Sequence, residues 1–170
     1  AYQLFKESLD IALKAGYAKL IVVAYDQISL FLRKIENYEL ADRFLQEALN
    51  FLDRLDLSRQ KSQILFSLGG VASMRGKLTE AHEYYEDAFE IYQQLNQEPE
   101  MGYCRAQQAL ICLSAGNVHE AWDFLKQAIE IFRICKDKSL GEMIKRRVND
   151  FLETVEYSTA AREILNSDFS

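Results

Sequence analysis

The chain has 170 residues, of which 49% are hydrophobic and 27% are charged, and its formal net charge at pH 7 is −6. This balance is typical of a folded globular protein rather than a disordered one. The negative charge argues against generic nucleic-acid binding, which requires a basic surface. Seven glycines and a single proline, Pro99, leave little room for the turns of a β-rich fold.

The longest apolar run and the cysteines indicate where the chain resides. The run at 20–25 is far too short to cross a bilayer, and no secretory signal is recognisable. Cys104, Cys112 and Cys135 show neither a disulfide pattern nor CxxC spacing. We therefore expect a cytoplasmic location with no membrane partner, and cysteines that serve as small core or groove residues.

Apolar residues recur at helical spacing along the whole chain. Their pattern predicts nine helices, at about 1–15, 19–35, 38–56, 59–75, 78–96, 100–115, 118–135, 140–155 and 158–166. Gly16 and Gly76 follow two of these helices, and glycine can adopt the left-handed conformation that closes a helix. Pro99 lies where the sixth helix begins, a position that proline favours.

The regular spacing of the breaks between the predicted helices reflects a sequence repeat of forty residues. Ala41, Ala81 and Ala121 are spaced by that period, as are the large residues four positions later and the alanines at 48, 88 and 128. Small residues on both sides of a large one let two helices approach closely while the gap between them is filled. A fixed period of this length indicates stacked helical hairpins.

These residues, together with Leu68-Gly69 and Gly76, resemble the tetratricopeptide repeat (TPR) family. The period exceeds the usual 34 residues and is similar to the longer-helix variants of signalling scaffolds and bacterial regulators. HEAT repeats, the structural rival, usually carry a proline in the first helix and a fixed Asp/Arg pair, which we do not find. The resemblance implies an all-α fold, an α-α superhelix built as a solenoid of TPR-like hairpins. Its expected parts are a half repeat at 1–16, full repeats at 17–57, 58–97 and 98–137, and a terminal repeat at 138–170. We expect this single array to be a fragment of a longer protein.

In the TPR family the first helix of each hairpin, here called the A helix, lines a concave groove, and the second, the B helix, lies outside. Such a groove suits a peptide segment of another protein. The segments that contain the A helices, 19–36, 59–76, 98–117 and 136–156, carry a net charge of +3, and the rest of the chain carries −9. An acidic segment would therefore be steered to the groove. The resemblance thus implies a protein-interaction scaffold without a cofactor, not an enzyme.

The groove positions implied by the resemblance are those left over once the apolar core positions are assigned. They are Asp26, Gln27, Leu30, Arg33 and Lys34 in the first complete hairpin, Phe66 and Gly70 in the second, Tyr103, Gln107 and Leu110 in the third, and Arg146 in the last. Arg33 and Arg146 are the expected anion contacts, because guanidinium binds carboxylate in a two-pronged fork. Phe66, Leu30 and Leu110 are either apolar pockets of the groove or packing between repeats.

Several other side chains leave alternatives open. Gln108 stands where the neighbouring repeats have Ile28 and Leu68, so it forms either a local polar bridge or a groove contact. Trp122 is either an exposed anchor or a cover for the last hairpin. The two histidines, His82 and His119, have no clustered ligands and read as surface residues, so we expect no metal site. No catalytic constellation appears in the sequence.

Two rival functions remain open at this stage. The first is self-association, in which a second copy covers an open N-terminal edge formed by Leu4, Phe5 and Leu9. The second is a ligand-sensing regulatory domain of a larger enzyme or transcription regulator, which would require a closed pocket lined by Arg33, Tyr103 and Gln107.

Overall fold

A computed structural model of the chain describes residues 2–55 and 57–154. Within these ranges it contains eight helices: α1 (Tyr2–Ala15), α2 (Ala18–Lys34), α3 (Tyr38–Leu52), α4 (Ser58–Met74), α5 (Leu78–Gln94), α6 (Glu98–Ser114), α7 (Val118–Cys135) and α8 (Lys138–Thr154). Helices α2, α4, α6 and α8 are the A helices, and α1, α3, α5 and α7 are the B helices. The predicted ninth helix, at 158–166, lies outside the described residues.

The predicted boundaries agree with the structure to within about two residues except at the end of α3. That helix ends at Leu52, where we expected it to continue to 56. The segment after it has no glycine or proline to mark the end, and Asp53 closes the helix with right-handed backbone angles. At its other end α3 is capped by Asn37, whose Oδ1 accepts a hydrogen bond of 3.3 Å from the Leu40 amide.

The turns between helices contain residues in the left-handed backbone conformation, as the glycines in the sequence predicted. Gly76 and Gly116 end α4 and α6 with φ of 74° and 80°. Glu36 occupies the equivalent position after α2 and takes φ of 59° without the freedom of glycine. The corner geometry therefore follows the repeat even where the residue type does not.

The B-helix alanines are among the most deeply buried residues of the repeat. Ala41, Ala81 and Ala121 are all inaccessible to solvent, and so are the alanines seven positions later. The large residues between them, Leu45 and Leu125, are also fully buried. The prediction that small residues permit close helix packing at these positions is confirmed.

Gly69 shows how closely an A helix packs on its B helix. A Cβ atom built on Gly69 would lie 2.9 Å from the Cε1 and Cζ atoms of Tyr85 on α5. The ring of Tyr85, which is buried, thus occupies the space that any side chain at position 69 would need. The pairing of a glycine with a large ring lets α4 and α5 approach.

The described residues divide into two compact units, with the boundary between Ile91 and Tyr92. In the first unit α1 packs on α2, α2 on α3, and α4 on both α2 and α3, around a core that includes Ile28, Leu45 and Leu68. In the second unit α6, α7 and α8 pack on one another, around a core that includes Leu125, Leu140 and Ile144.

None of the eight helices described above is both long enough and apolar enough to cross a membrane.

Candidate functional site

Helix α2 exposes a stripe of side chains along one face. Residues 20, 23, 27, 30 and 34 are all exposed, and their spacing of three and four places them on one side of the helix. Three of them are apolar: Leu20 and Val23 are each 55% exposed, and Leu30 is 41% exposed. We call these three residues the α2 apolar stripe. A stripe of large apolar residues open to solvent is unusual enough to suggest a binding surface.

The predicted groove residue Asp26 lies at the junction of α2 with the neighbouring A helix, α4. Its Oδ1 atom accepts a hydrogen bond of 2.8 Å from the hydroxyl of Ser67. Asp26 and Ser67 are both half-buried. The carboxylate is therefore held in place by α4 and marks the acidic part of this surface.

Arg33 and Gly70, two further predicted groove residues, lie next to each other. A Cβ atom on Gly70 would lie 3.4 Å from Nη2 of Arg33 and 3.5 Å from the hydroxyl oxygen of Tyr85. Arg33 is half-buried, and its Nε atom is buried without a hydrogen-bond partner among the described residues. Lys34, the next residue, is exposed, so the C-terminal end of α2 carries two cations.

Phe66 packs against the second helix of its own hairpin, a contact within one repeat and not between repeats. Its ring meets that of Tyr85 edge-on, with 5.1 Å between centroids and 66° between planes, and the residue is half-buried. Edge-on contact is a favourable geometry for aromatic pairs. Phe66 thus packs on α5, and part of its side chain remains exposed to solvent.

In the second unit the predicted residues lie on α6 and α8. Gln107 and Leu110 are half-buried on α6, and Arg146 is exposed on α8. Tyr103 faces the start of α8, where its hydroxyl meets Asp137 and Ser139. Burial and the Asp137 carboxylate raise the pKa of this hydroxyl. The contact with Asp137 joins α6 to the cap of α8, because Asp137 Oδ1 also accepts a hydrogen bond of 2.7 Å from the Leu140 amide.

Gln108 forms a local polar bridge and not a groove contact. It is fully buried, and its Oε1 atom accepts a hydrogen bond of 2.7 Å from Nη1 of Arg105. Arg105 is only 8% exposed, and its guanidinium lies 5.4 Å from the ring centroid of Phe124, within the range of a cation–π interaction. The sequence analysis did not single out Arg105. The available signal was that Arg105 stands at the repeat position occupied in the preceding repeat by Leu65, which is buried.

Trp122 and two cysteines are the remaining candidates in the second unit, and their surroundings give them structural roles. Trp122 is half-buried against the α6–α7–α8 core, so it covers that core. Cys104 and Cys112 are buried. Burial and the nearby carboxylate of Glu120 raise the pKa of the Cys112 thiol to about 11, which keeps it protonated and unreactive at neutral pH.

Within residues 2–55 and 57–154, no three or more His, Cys, Asp and Glu side chains are grouped closely enough to hold a metal ion. His119 is exposed and His82 is half-buried.

The expected open edge at the N-terminus needs a correction. Leu9 is buried in the core of the first unit, because α1 packs its inner face on α2. Leu4, by contrast, is 68% exposed, and the side chain of Phe5 lies outside the described residues. Leu9 therefore does not belong to the exposed edge, whereas Leu4 does.

Comparison with solved structures shows the same fold. BtubC (BKLC) from P. vanneervenii has a TM-score of 0.74 at 18% identity, with 90% of this chain and 63% of that chain covered. A putative kinesin light chain of Podosopora anserina with nearly identical TPR-like repeats has a TM-score of 0.77 at 15% identity, covering 99% of this chain and 83% of that chain. The apo form of RapI has a TM-score of 0.65 at 14% identity, covering 97% and 70%. The chain thus spans less than two thirds of the length of BtubC.

Sequence comparison identifies the family. No protein of curated function matches the chain. The profile of the tetratricopeptide repeat matches residues 20–94 and, in a second overlapping alignment, residues 61–134. Together these spans cover more than half of the chain, and they include the helix pairs whose alanines and glycines set the forty-residue period. The chain therefore belongs to the tetratricopeptide repeat family and has the fold of a protein-interaction scaffold.

Proposed function

We propose that this scaffold binds a short segment of a partner protein along the exposed face of its A helices. In the first unit this face consists of α2 and α4, and in the second unit the corresponding surface lies on α6 and α8. The binding surface is non-catalytic. A cytoplasmic site of action belongs to the same proposal, since the three cysteines are free thiols.

The observation that carries the proposal is the α2 apolar stripe. Exposed leucine and valine on a helix that is otherwise packed into a repeat have no role in the core, and Arg33 and Lys34 follow them in the last turn of the same helix. A surface that combines an apolar stripe with nearby charge suits a peptide, because apolar contacts give affinity and the charges fix orientation.

The test is affinity capture from a lysate of the source organism with three baits. One bait is the unaltered chain, the second carries Val23→Asp and Leu30→Asp, and the third carries Ile134→Asp. Ile134 is a matched control because it is an apolar residue that is 72% exposed on a B helix. Each bait is first checked for helical content and thermal stability.

We expect at least one protein to be captured by the unaltered and Ile134→Asp baits and lost from the double variant. Limited proteolysis of that protein should then yield a short fragment that still binds. If the three baits retain the same set of proteins, the A-helix face is not the binding surface and the proposal is wrong.

A further inference from the structure

We propose that the solvent-exposed face of α1 is a second docking surface. It binds an amphipathic helix of a partner protein at the place that an A helix occupies in the other repeats. The surface consists of Leu4, Ser8 and Ile11 on α1 and of Leu20 near the start of α2, and we call it the α1 docking face. Because α1 is a B helix, this inference goes beyond the A-helix surface proposed above.

The α1 docking face is largely apolar and open to solvent. Leu4 and Ile11 are each 68% exposed, and Leu20 is 55% exposed, so no helix of the described residues covers them. The spacing of Leu4, Ser8 and Ile11 by four and three residues places them along one side of α1. Leu9, by contrast, is buried in the core where α1 packs on α2. The face is therefore formed before anything binds to it.

The equivalents of Leu4 in other repeats show what this face receives. Forty residues later, the ring centroid of Phe44 lies 6.1 Å from that of Tyr25, on the A helix of the same hairpin. In the third full repeat the ring centroid of Phe124 lies 5.4 Å from the guanidinium carbon of Arg105, which occupies the same A-helix position as Tyr25. Leu4 thus stands at a position that contacts the A helix of a hairpin.

Ile11 and Leu20 stand at positions of the same kind. A Cβ atom built on Gly102 of the A helix α6 would lie 3.3 Å from Cγ2 of Ile131, the equivalent of Ile11. The same Cβ atom would lie 2.5 Å from Cδ2 of Leu140, the equivalent of Leu20. Leu140 is inaccessible to solvent. The exposed leucines and isoleucine of the α1 docking face are therefore shaped to pack on an A helix.

Ser8 indicates that the occupant binds reversibly. Its equivalents Ala48, Ala88 and Ala128 are all inaccessible to solvent, whereas Ser8 is exposed. Serine is small enough to permit the close approach of a helix. Its hydroxyl group is hydrated when the face is empty and would need a hydrogen-bond partner under permanent cover. The residue type thus suits a separate partner better than a fixed neighbour.

Glu7 specifies one residue of the bound helix. Its equivalent, Glu47, accepts a hydrogen bond of 3.5 Å through Oε2 from the hydroxyl of Tyr25. Glu7 is exposed one turn after Leu4. The partner helix should therefore carry a tyrosine whose ring packs on Leu4 and whose hydroxyl donates to Glu7. Its other contacting residues are apolar and recur every three or four positions.

The probe is a synthetic peptide with the α2 sequence, residues 18–34, which combines Tyr25 with the A-helix pattern. Val23 and Leu30 are replaced by glutamine in the peptide, because they are exposed in α2 and are not needed for packing on a B helix. A second peptide adds Tyr25→Phe, and a third adds Tyr25→Asp. Each peptide has blocked termini and a fluorescent label and is titrated with the full chain by fluorescence anisotropy.

The variants of the full chain are Leu4→Asp with Ile11→Asp, Glu7→Gln, Val23→Asp with Leu30→Asp, and Ile134→Asp. The first removes the apolar residues of α1 and the second removes the acceptor charge. The third alters the A-helix face, and the fourth is a matched control because Ile134 is 72% exposed on a B helix. All the substituted residues are exposed, and circular dichroism checks that each variant is folded. Light scattering measures whether the free chain self-associates.

We expect the tyrosine peptide to bind the unaltered chain and the Ile134→Asp variant equally. The Leu4→Asp and Ile11→Asp variant should bind it at least about tenfold more weakly, because central apolar contacts are lost. Tyr25→Phe in the peptide and Glu7→Gln in the chain should each weaken binding about two- to tenfold. Together they should cost no more than either alone, since both remove the same hydrogen bond. The Tyr25→Asp peptide should not bind.

Several results would overturn the inference. Equal binding of the peptide by all the variants, or no binding to the unaltered chain, would show that the α1 docking face does not receive an A-type helix. If only the Val23→Asp and Leu30→Asp variant loses the peptide, the A-helix face binds it instead. If the free chain dimerises and the Leu4→Asp and Ile11→Asp variant does not, a second copy is the occupant and the partner helix is wrong.

Discussion

Two arginines on A helices are withdrawn from water in different ways. Arg105 is buried and donates to Gln108 while its guanidinium lies over the ring of Phe124. Arg33 is half-buried beside a glycine, and its Nε atom has no acceptor within the described residues. The first arrangement provides internal partners for a cation. The second leaves the buried Nε donor of Arg33 without such an internal partner among the described residues.

The Arg105–Gln108 pair can be tested against its apolar equivalents. Gln108→Leu removes the acceptor that lies 2.7 Å from Arg105 Nη1, and it should lower the free energy of unfolding by about 1–3 kcal/mol because a buried donor then loses its acceptor. The double substitution Arg105→Leu and Gln108→Leu reproduces the buried pair Leu65 and Leu68. It should recover most of that loss, since replacing both members of a buried polar pair is often neutral or stabilising.

Urea unfolding of the two variants, followed by circular dichroism, measures this difference. If the double variant is less stable than the single one, the pair is part of a larger polar network, and the local account is wrong.

The sequence could not resolve the polar contacts at this scale. Periodicity placed Gln108 in an apolar position but left its partner unknown, because the partner depends on the rotamer of Arg105, three residues away. Tyr103 was placed in the groove from its position in the repeat, yet its hydroxyl faces Asp137 and Ser139. Side-chain direction depends on the neighbouring helix, which no spacing rule encodes.

At the scale of helices, one repeat position links residue size on the A helix to residue size on the B helix. Gly69 meets the ring of Tyr85. The equivalent pairs in the other full repeats are Ser29 with Leu45 and Ala109 with Leu125. A larger A-helix residue thus accompanies a smaller B-helix residue. The total volume at this crossing is approximately conserved, as close packing requires.

A double-mutant cycle tests this relation. Gly69→Ala in the unaltered chain should lower the free energy of unfolding by about 1–3 kcal/mol, because the new Cβ would overlap the Tyr85 ring at 2.9 Å. In a Tyr85→Leu background the same change should raise it by about 0.5–1 kcal/mol, the usual helix gain of alanine over glycine. Thermal and urea unfolding of the four proteins give the cycle.

A control for the cycle is Gly70→Ala, where the new Cβ would lie at an ordinary contact distance of 3.4 Å or more. It should be neutral or stabilising in both backgrounds. If Gly69→Ala has the same sign with tyrosine and with leucine at position 85, ring overlap does not determine this crossing.

Helices could be predicted well here because the repeat supplied independent copies of each boundary. The end of α3 is the exception, since the segment following Leu52 differs from the glycine-marked ends of α4 and α6. Glu36 is the opposite case. Glutamate does not favour the left-handed conformation, but its position forty residues before Gly76 indicates a left-handed turn there. Repetition carries information that single residues lack.

At the scale of the whole molecule, the same forty-residue unit builds two hydrophobic cores. One includes Ile28, Leu45 and Leu68, and the other includes Leu125, Leu140 and Ile144. In a repeat protein each hairpin is stabilised by its neighbours, so the free energy of local opening varies along the chain. The sequence predicted the repeat but not the division at 91 and 92, because all the hairpins share one apolar pattern.

Hydrogen exchange in two matched variants tests whether stability is local. Gly69→Ala introduces overlap with Tyr85 in the first unit, and Gly141→Ala introduces overlap with Phe132, whose Cε2 and Cζ atoms lie 2.5 and 2.9 Å from the added Cβ, in the second. Because interactions are strongest between neighbouring hairpins, Gly69→Ala should speed exchange most in α4 and α5, and Gly141→Ala most in α7 and α8. Mass spectrometry of the exchanged peptides locates the change. Equal acceleration along the described chain in both variants would show that the hairpins open together, and the two cores would then act as a single cooperative unit.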